Sequence, residues 1–411
     1  MLSSGQPVEL GASLMHGVED NPLVAIAAAC SSASTLCLVP GPVTLIVPRP
    51  GGPVLSEAAS GRLLMAVDDA LATACAQADS LPALDVNLSV DAVLRPLLDS
   101  AAEQYGLDRA ALHCAADVIA EDISAELSNA ALCGINEEDE LLGEDMFVAG
   151  GYTRVLEKLA GDALLSHVRL QHVVTHIDYS ALLLSVGDMV QIATAEHGTF
   201  AADAVIITVP LGVLKAGVIQ FTPPLSPQRQ QAIECLGVGA HNKVILEFDH
   251  KLPPFWPLGY AFLTLRPADL EITDPAAAAD VLPRESILFE CMPTVQHSEH
   301  SRCEESTNPP TLIAYVHCSL AEMLEQRTDA EVADLFARHL ACYFPQAPCV
   351  RPVRGMMSRW CQDIYARGSY SYIPVGSSAG SQYFIRASGG ILGRRAHFAD
   401  TAFYSKFVLG G

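Results

Sequence analysis

Asp203-Ala-Val-Ile-Ile-Thr-Val-Pro-Leu-Gly-Val-Leu-Lys215 is the stretch on which the fold class turns. An apolar, β-branched run from Ala204 to Val209 halts at Pro210. A short continuous run of this kind reads as a strand buried on both faces, as in parallel sheets covered by helices. Its carboxyl end, Thr208-Val209-Pro210, is where a sheet of that class meets its ligand.

Upstream of it, Gly150-Gly151 precedes a helix predicted over Tyr152–Leu159, and Val168–Tyr179 reads as a strand. Val186-Gly187-Asp188 has hairpin chemistry between Leu182–Ser185 and Met189–Ala193. Residues 55–132 read as helical, with Leu63, Leu64, Val67, Leu71 and Ala74 at helical spacing, and later Leu112, Val118, Ile119 and Ile123. Residues 37–53 read as a small β excursion. Residues 21–40 are apolar on average but broken by Asn21, Pro22, Ser31, Ser32, Ser34 and Thr35, which predicts a buried helix and loop rather than a membrane span. Downstream, strands are predicted at Lys243–Phe248 and Leu312–Val316, a helix at Ala330–Cys342, and a polar loop over 264–310. This order describes an α/β or α+β chain whose domains are discontinuous in sequence.

Composition narrows the function. A chain of 411 residues with 50% hydrophobic and 17% charged residues can fill two cores and is not disordered as a whole. The net charge of −23, with no basic stripe, argues against nucleic acid as a partner. Acidity of this size either keeps the protein soluble or draws in small cations. The 12 cysteines contain no CxxC pair, so neither a zinc site nor a disulfide framework is signalled. They suit buried packing in a reducing compartment, for which the cytoplasm is the expectation. No charged segment followed by an apolar core opens the chain, so no signal peptide is expected.

Five segments then share one pattern. They are Glu9-Leu-Gly-Ala-Ser-Leu-Met-His-Gly17 with Asn21-Pro22, the run Gly150–Ala160, the quoted stretch Asp203–Lys215, Leu236–Val244 with Phe255-Trp-Pro257, and Arg359–Asp363 running into Ala366–Tyr372. In this order and spacing the chain, over about residues 8–376, resembles the flavin-containing amine oxidases, and within them the polyamine oxidase and lysine-specific histone demethylase branch. The resemblance implies an FAD-binding Rossmann-like domain, incomplete here, built from residues 1–25, 146–222 and part of 366–411. It implies a discontinuous α+β substrate domain from residues 26–145 and 223–365. The implied partners are FAD, O2 and a small cationic amine of the spermine or spermidine type, oxidised to aldehyde, amine and hydrogen peroxide.

The resemblance also assigns roles. Gly11, Ala12 and Ser13 would lie against the flavin ring, where glycine permits close backbone approach. Val174 would meet the adenine, although core packing is the simpler reading of that valine from sequence. Thr208, Val209 and Pro210 would border the dinucleotide. Lys243 would stabilise negative charge beside the reactive flavin nitrogen. His16 would stand beside the substrate amine and favours polyamine over demethylase chemistry. Trp360, Tyr365 and Tyr370 would form an aromatic set that buries methylenes and faces a cation. Glu137, Glu138, Asp139 and Glu140 read either as a solvated face or as a site for a distal ammonium.

The pattern also has departures. No GxGxxG occurs, and Gly237-Val-Gly239 does not supply one because Asn242 takes the third glycine position. The family's closing GE(A/H)T segment is not found, and Ala379–Gly411 shows no resemblance. Leu14 stands where most polyamine oxidases carry tryptophan. These points imply a chain truncated at both ends that holds FAD weakly. A catalytically inactive binding module and a histone lysine demethylase are the other readings.

Overall fold

The computed structural model describes residues 8–30, 37–40, 42–80, 87–135, 141–149, 151–180, 189–248, 260–265, 282, 286–291, 311–345, 351–377 and 396–398. The chain starts with β1 (Leu14–Met15), helix α1 (Pro22–Cys30), β2 (Cys37–Pro40) and β3 (Val43–Val47). A helical block follows: α2 (Glu57–Ser80), α3 (Val90–Tyr105), α4 (Arg109–Ala115) and α5 (Asp117–Ile123). Next come β4 (Met146–Ala149), α6 (Tyr152–Leu165), β5 (Val174–Asp178), β6 (Val190–Thr194), β7 (Gly198–Ala202), β8 (Val205–Ile207), α7 (Leu211–Lys215), β9 (Gln220–Thr222) and α8 (Pro227–Cys235). The last part holds β10 (Gly237–Val238), β11 (His241–Glu247), β12 (Tyr260–Thr264), β13 (Ile287–Cys291), β14 (Thr311–His317), α9 (Cys318–Glu325), α10 (Asp329–Tyr343), β15 (Arg354–Met357), β16 (Ser371–Tyr372) and β17 (Ala396–Phe398).

The largest sheet runs β15-β11-β14-β13-β12-β3. Its β3 comes from the early β excursion and pairs parallel with β12, so a segment near the start of the chain closes the edge of a sheet made by its second half. Strand alternation divides the sheet's side chains cleanly. On one face Val244, Leu246, Phe289, Leu312, Ala314 and Val316 pack with α9 and α10 in the largest core cluster. On the other, Ile245, Ile313 and Tyr315 pack with Val8, Leu10, Leu288 and Met356. Lys243 and Glu290 alternate onto this second face, and both are buried. Helix α10 begins at a capping box formed by Thr328 and Glu331 and turns Val332, Leu335, Phe336 and Tyr343 inward. The helical block forms a second core around Leu63, Val67, Leu94, Leu98 and Leu112, as its sequence spacing predicts.

The remaining sheets are smaller. β7-β6-β5-β9 is a four-stranded sheet, with β5 and β9 parallel. β8 pairs parallel with β17. β1 and β2 flank β4. Among the described residues no helix is long and apolar enough to cross a membrane.

Several expectations change. The run Asp203–Val209 yields only the short strand β8, and Ile206 is 66% exposed, so this is not a strand covered on both faces among the described residues. Val168–Tyr179 contracts to β5, and β6 pairs with β7 across a turn at 195–197. The expected hairpin partner Leu182–Ser185 lies outside the described residues, as does most of the 264–310 loop. Within that loop, however, Ile287–Cys291 is a central strand, bonded to both β12 and β14. Its short run amid polar residues hid it from a reading by periodicity.

Candidate active site

Lys243 lines a cavity of about 250 Å³ beneath the second face of the large sheet. It is 7% exposed. Its ammonium donates to the Gly11 carbonyl at 2.5 Å and to Ser13 Oγ at 2.8 Å, and lies 3.4 Å from the Glu9 carbonyl. These contacts span more than two hundred residues of sequence and pin the N-terminal segment to β11. Burial pushes the Lys243 ammonium down to about 8, although Glu290, Glu9 and Glu121 oppose the shift.

Two further strands bring groups to the same face. Tyr315 on β14 stands directly opposite Lys243 on β11, with the ammonium 5.7 Å from the ring centre. The Tyr315 hydroxyl donates to Glu290 Oε2 at 2.5 Å. Burial raises the Glu290 carboxyl above its ordinary value, and burial with the neighbouring Glu290 charge raises the Tyr315 phenol well above its own. At the start of β11, His241 presents both ring nitrogens buried and without a hydrogen-bond partner among the described residues. Its Nε2 lies 3.8 Å from Glu121 Oε1, and its ring meets Tyr370 edge-on at 5.3 Å. Burial, with the His317 and Lys243 charges, pushes His241 down to about 3, and burial pushes His317 to about 4.

The wall opposite comes from the N-terminal segment. Gly11, Ala12, Ser13, Leu14 and His16 all line the cavity. His16 Nδ1 lies 2.8 Å from Asp145 Oδ2, and the other oxygen of that carboxylate accepts from the Gly17 amide at 2.9 Å. Asp145 therefore fixes the ring and its loop together. Glycine is required at position 17 on two counts: its φ is 61°, and a side chain would strike the Leu141 backbone.

The segment 358–372 supplies the aromatic edge, and a buried amide sets its course. Asn242 alternates to the face opposite Lys243. Its Oδ1 accepts from Ser358 Oγ at 3.0 Å and from the Trp360 amide at 3.1 Å. Its Nδ2 donates to Glu325 Oε1 at 2.7 Å, and Glu325 also accepts from the amides of Cys361 and Gln362. Trp360 is thereby held with its ring edge beside Gly11. Next to Tyr370 the backbone is tied to Gly239, whose amide donates to the Tyr370 carbonyl and whose carbonyl accepts from the Ser369 amide; the lack of a side chain lets Gly239 lie on the Ser124 carbonyl. Tyr365 does not join this set: it is 59% exposed and outside the cavity lining.

The residues assigned to the dinucleotide stand elsewhere. Val174 and Val209 pack in the small core of the β5 sheet with Ile177, Ile207 and Val213. Thr208 is exposed and Pro210 half-buried at the start of α7. The acidic run Glu137–Glu140 lies outside the described residues.

The family model for flavin containing amine oxidoreductases matches residues 1–400. The chain belongs to that family. Polyamine oxidase 2 of Arabidopsis thaliana is 32% identical over 243 residues, which are 59% of this chain and 41% of that protein. A histone demethylase-like protein A of Aspergillus fumigatus is 31% identical over 64% of this chain and 23% of its own length. A lysine-specific histone demethylase 1 homolog of Oryza sativa subsp. japonica is 29% identical over 92% of this chain and 41% of its own. The chain thus spans less than half the length of these curated relatives. The structure of cyclohexylamine oxidase from Brevibacterium oxydans matches 97% of this chain and 85% of its own with a TM-score of 0.65 at 16% identity, which places the fold. The fold is therefore that of a flavin amine oxidase, a mixed α/β chain.

Family membership reaches past Ala379, where the sequence pattern shows no resemblance. The match runs on to residue 400, and β17, which lies in that stretch, pairs parallel with β8. Family membership implies FAD. The residues present fit the ring end of that cofactor: Gly11 and Ala12 are exposed, carry little side chain, and adjoin the cavity, Trp360 and Lys243. A flat ring system can lie on such a wall without meeting a bulky group. Among the described residues no glycine-rich turn before a helix offers a phosphate cradle. The N-terminus of α6 is already capped, its Tyr152 amide donating to Glu9 Oε1 at 2.7 Å.

Sequence reasoning did not single out Glu290, Tyr315, His241, Glu121 or Asp145. For Tyr315 and His241 the signal was present in period-2 alternation: once Lys243 is known to face inward on β11, His241 follows two residues earlier on the same face and Tyr315 follows from register across β14. Glu290 carried no such signal, because its strand β13 shows no period of its own.

Proposed function

We propose that the protein oxidises polyamine-type amines with FAD and O2, releasing aldehyde, amine and hydrogen peroxide. The observation that carries the reading is the shared cavity. One wall is small-residue backbone suited to a flavin ring. Lys243 lines the cavity, and Glu121, Asp122, Glu290 and Tyr370 supply negative charge and an aromatic face. Acidic walls draw in a cationic amine, while Val118, Leu288 and Tyr370 cover its methylenes. Asp145 holds His16 so that its other ring nitrogen remains available to the amine. The Lys243 ammonium, partly destabilised by burial, offers preorganised positive charge to an anion forming on the Gly11–Ser13 side. Bound FAD would supply the two-electron acceptor for oxidation at the carbon attached to nitrogen.

A methylated lysine side chain presents the same reacting C–N bond. The demethylase relative that covers 92% of this chain supports it as the second reading. Expression with added FAD, followed by an absorbance spectrum and a peroxide assay, separates the two. Peroxide release with spermine, spermidine or acetylated spermine, and none with a methylated lysine peptide, is expected. A flavin-loaded protein silent towards all three polyamines would overturn the proposal.

A further inference from the structure

Among the described residues Glu290 is the one buried carboxylate that reaches the cavity from the large sheet, and its charge is incompletely answered there. It is 6% exposed. Oε2 accepts from Tyr315, and Oε1 has no hydrogen-bond partner among the described residues. The nearest cation, Lys243, directs its donors to Gly11, Ser13 and Glu9 instead. A buried carboxylate held by one hydrogen bond is costly unless a cation or a proton completes it.

We propose that Glu290 receives the nitrogen of the incoming amine on Oε1 and takes its proton, with Tyr315 holding the carboxyl group in position. This rests on the amine-oxidising reading given above. The reaction that reading assigns needs the nitrogen lone pair free, while alkylamines arrive as ammonium ions. The exchange balances within the pair. One N–H bond of R–NH3⁺ breaks, its electron pair stays on nitrogen, and the proton forms an O–H bond at Oε1, leaving R–NH2 and a neutral carboxylic acid. Two charges become two neutral groups, which burial of the Glu290 carboxyl favours. The raised position of the Glu290 carboxyl, caused by burial, narrows the gap to the amine and favours the same transfer.

Other groups facing Glu290 do not replace it. Lys243 from β11 and Tyr315 from β14 are donors. Asp145 is engaged by His16 Nδ1 and by the Gly17 amide, and His241 is held neutral by burial. Glu121 and Asp122 on α5 line the cavity from the far side and attract the cation on entry.

Amine binding to the full chain, followed without turnover, tests this. Calorimetry with 1,4-diaminobutane at pH 8 should show Glu290→Gln binding roughly 30-fold or more weaker than wild type. Affinity in the wild type should fall as the pH drops through the raised Glu290 range, because a protonated carboxyl cannot accept the cation. An infrared difference spectrum should show a protonated-carboxyl band on binding, retained in Glu290→Asp, lost in Glu290→Gln, and shifted in Tyr315→Phe. Thermal melts of each variant establish that it folds, and Glu290→Asp carries the test if Glu290→Gln does not. Wild-type binding that Glu290→Gln leaves unchanged, or binding with no carboxyl band, would overturn the role of Glu290 while leaving the amine reading intact. A wild type that binds no diamine would overturn both.

Discussion

Lys243 and Tyr315 face each other directly across β11 and β14, and the lysine ammonium lies 5.7 Å from the tyrosine ring centre. The pair joins two requirements that usually conflict. A cation is buried against the large sheet, yet its hydrogen bonds go to Gly11 and Ser13, in a segment that comes more than two hundred residues earlier. Its burial is therefore tied to the docking of that segment, and the cost of burial should be visible in stability.

The first prediction follows from that cost. The folded-state value of Lys243 is lowered from 10.5 to about 8. Between those two values the unfolded chain binds the proton and the folded chain does not, so stability rises with pH across the window. The gain is about 3 kcal/mol at most. Denaturant unfolding at pH 7.5 and 10.5 should show the wild type gaining on Lys243→Met by this order. Parallel pH curves for the two proteins would mean that the lysine is not buried as described.

His241 gives the opposite limb. Its folded value of about 3 lies below the ordinary 6.5. As pH falls from 6.5 to 3 the unfolded chain takes up a proton that the folded chain refuses, so stability is lost in that range, by at most about 5 kcal/mol. His317, lowered to about 4, adds to the same limb. His241→Phe keeps a ring against Tyr370 and should flatten the acid side of the stability curve. An acid limb unchanged by this substitution would count against a neutral buried imidazole.

These groups show what the sequence could and could not disclose. Lys243 was legible because a recognisable segment, Leu236–Val244, surrounds it. Its burial followed only from that resemblance, since the strand start by itself reads as an edge lysine facing water. Helix α10 and strands β11 and β14 were legible because their apolar periods are long and bounded by caps or polar breaks. β13 was not: five residues, Ile287–Cys291, sit in a polar region, and their strand character comes from pairing with β12 and β14. Glu290 was lost with it. Tyr365 and Tyr370 share one sequence motif, yet a turn at 363–368 sends the first to solvent and the second to the cavity. Motif adjacency carries no side-chain direction.

That divergence is itself testable. Tyr370 lines the cavity and meets His241 edge-on, whereas Tyr365 is exposed. In flavin-loaded protein, Tyr370→Ala should raise KM for spermine about 3- to 30-fold, the range of a desolvated cation–π contact. Tyr365→Ala should leave KM within about twofold and stability within about 0.5 kcal/mol. Equal KM effects from both would place Tyr365 at the substrate after all.

The Asn242 amide supports Trp360 from the reverse side of the sheet. Asn242→Ala removes the acceptor used by Ser358 Oγ and the Trp360 amide, and deprives Glu325 of a donor. Leaving such buried groups unpaired costs about 1–3 kcal/mol. Chemical denaturation should report that loss, and Trp360 fluorescence should shift as the 358–362 segment loosens. Because Lys243 is the next residue, Asn242→Asp is the useful control: it keeps the acceptor but turns the contact with Glu325 into a repulsive one.

Lys243→Met in flavin-loaded protein separates a role in chemistry from one in structure. The ammonium is buried at the cavity and donates to the wall formed by Gly11 and Ser13, where the flavin ring would lie. Positive charge preorganised there should stabilise negative charge as electrons pass to oxygen. Loss of one such group typically costs about 3–4 kcal/mol, or roughly 10²–10³ in rate. Methionine keeps an unbranched, largely apolar stem, so packing changes little. Amine affinity should change much less, because the proposed anchor for the amine is Glu290 and not the lysine. Stopped-flow measurement of the reaction of reduced protein with oxygen, beside equilibrium binding of 1,4-diaminobutane, reads the two effects separately. A fall in the oxygen rate with near-constant affinity is the expected result. An unchanged oxygen rate with flavin still bound would reduce Lys243 to a tie between β11 and the N-terminal segment.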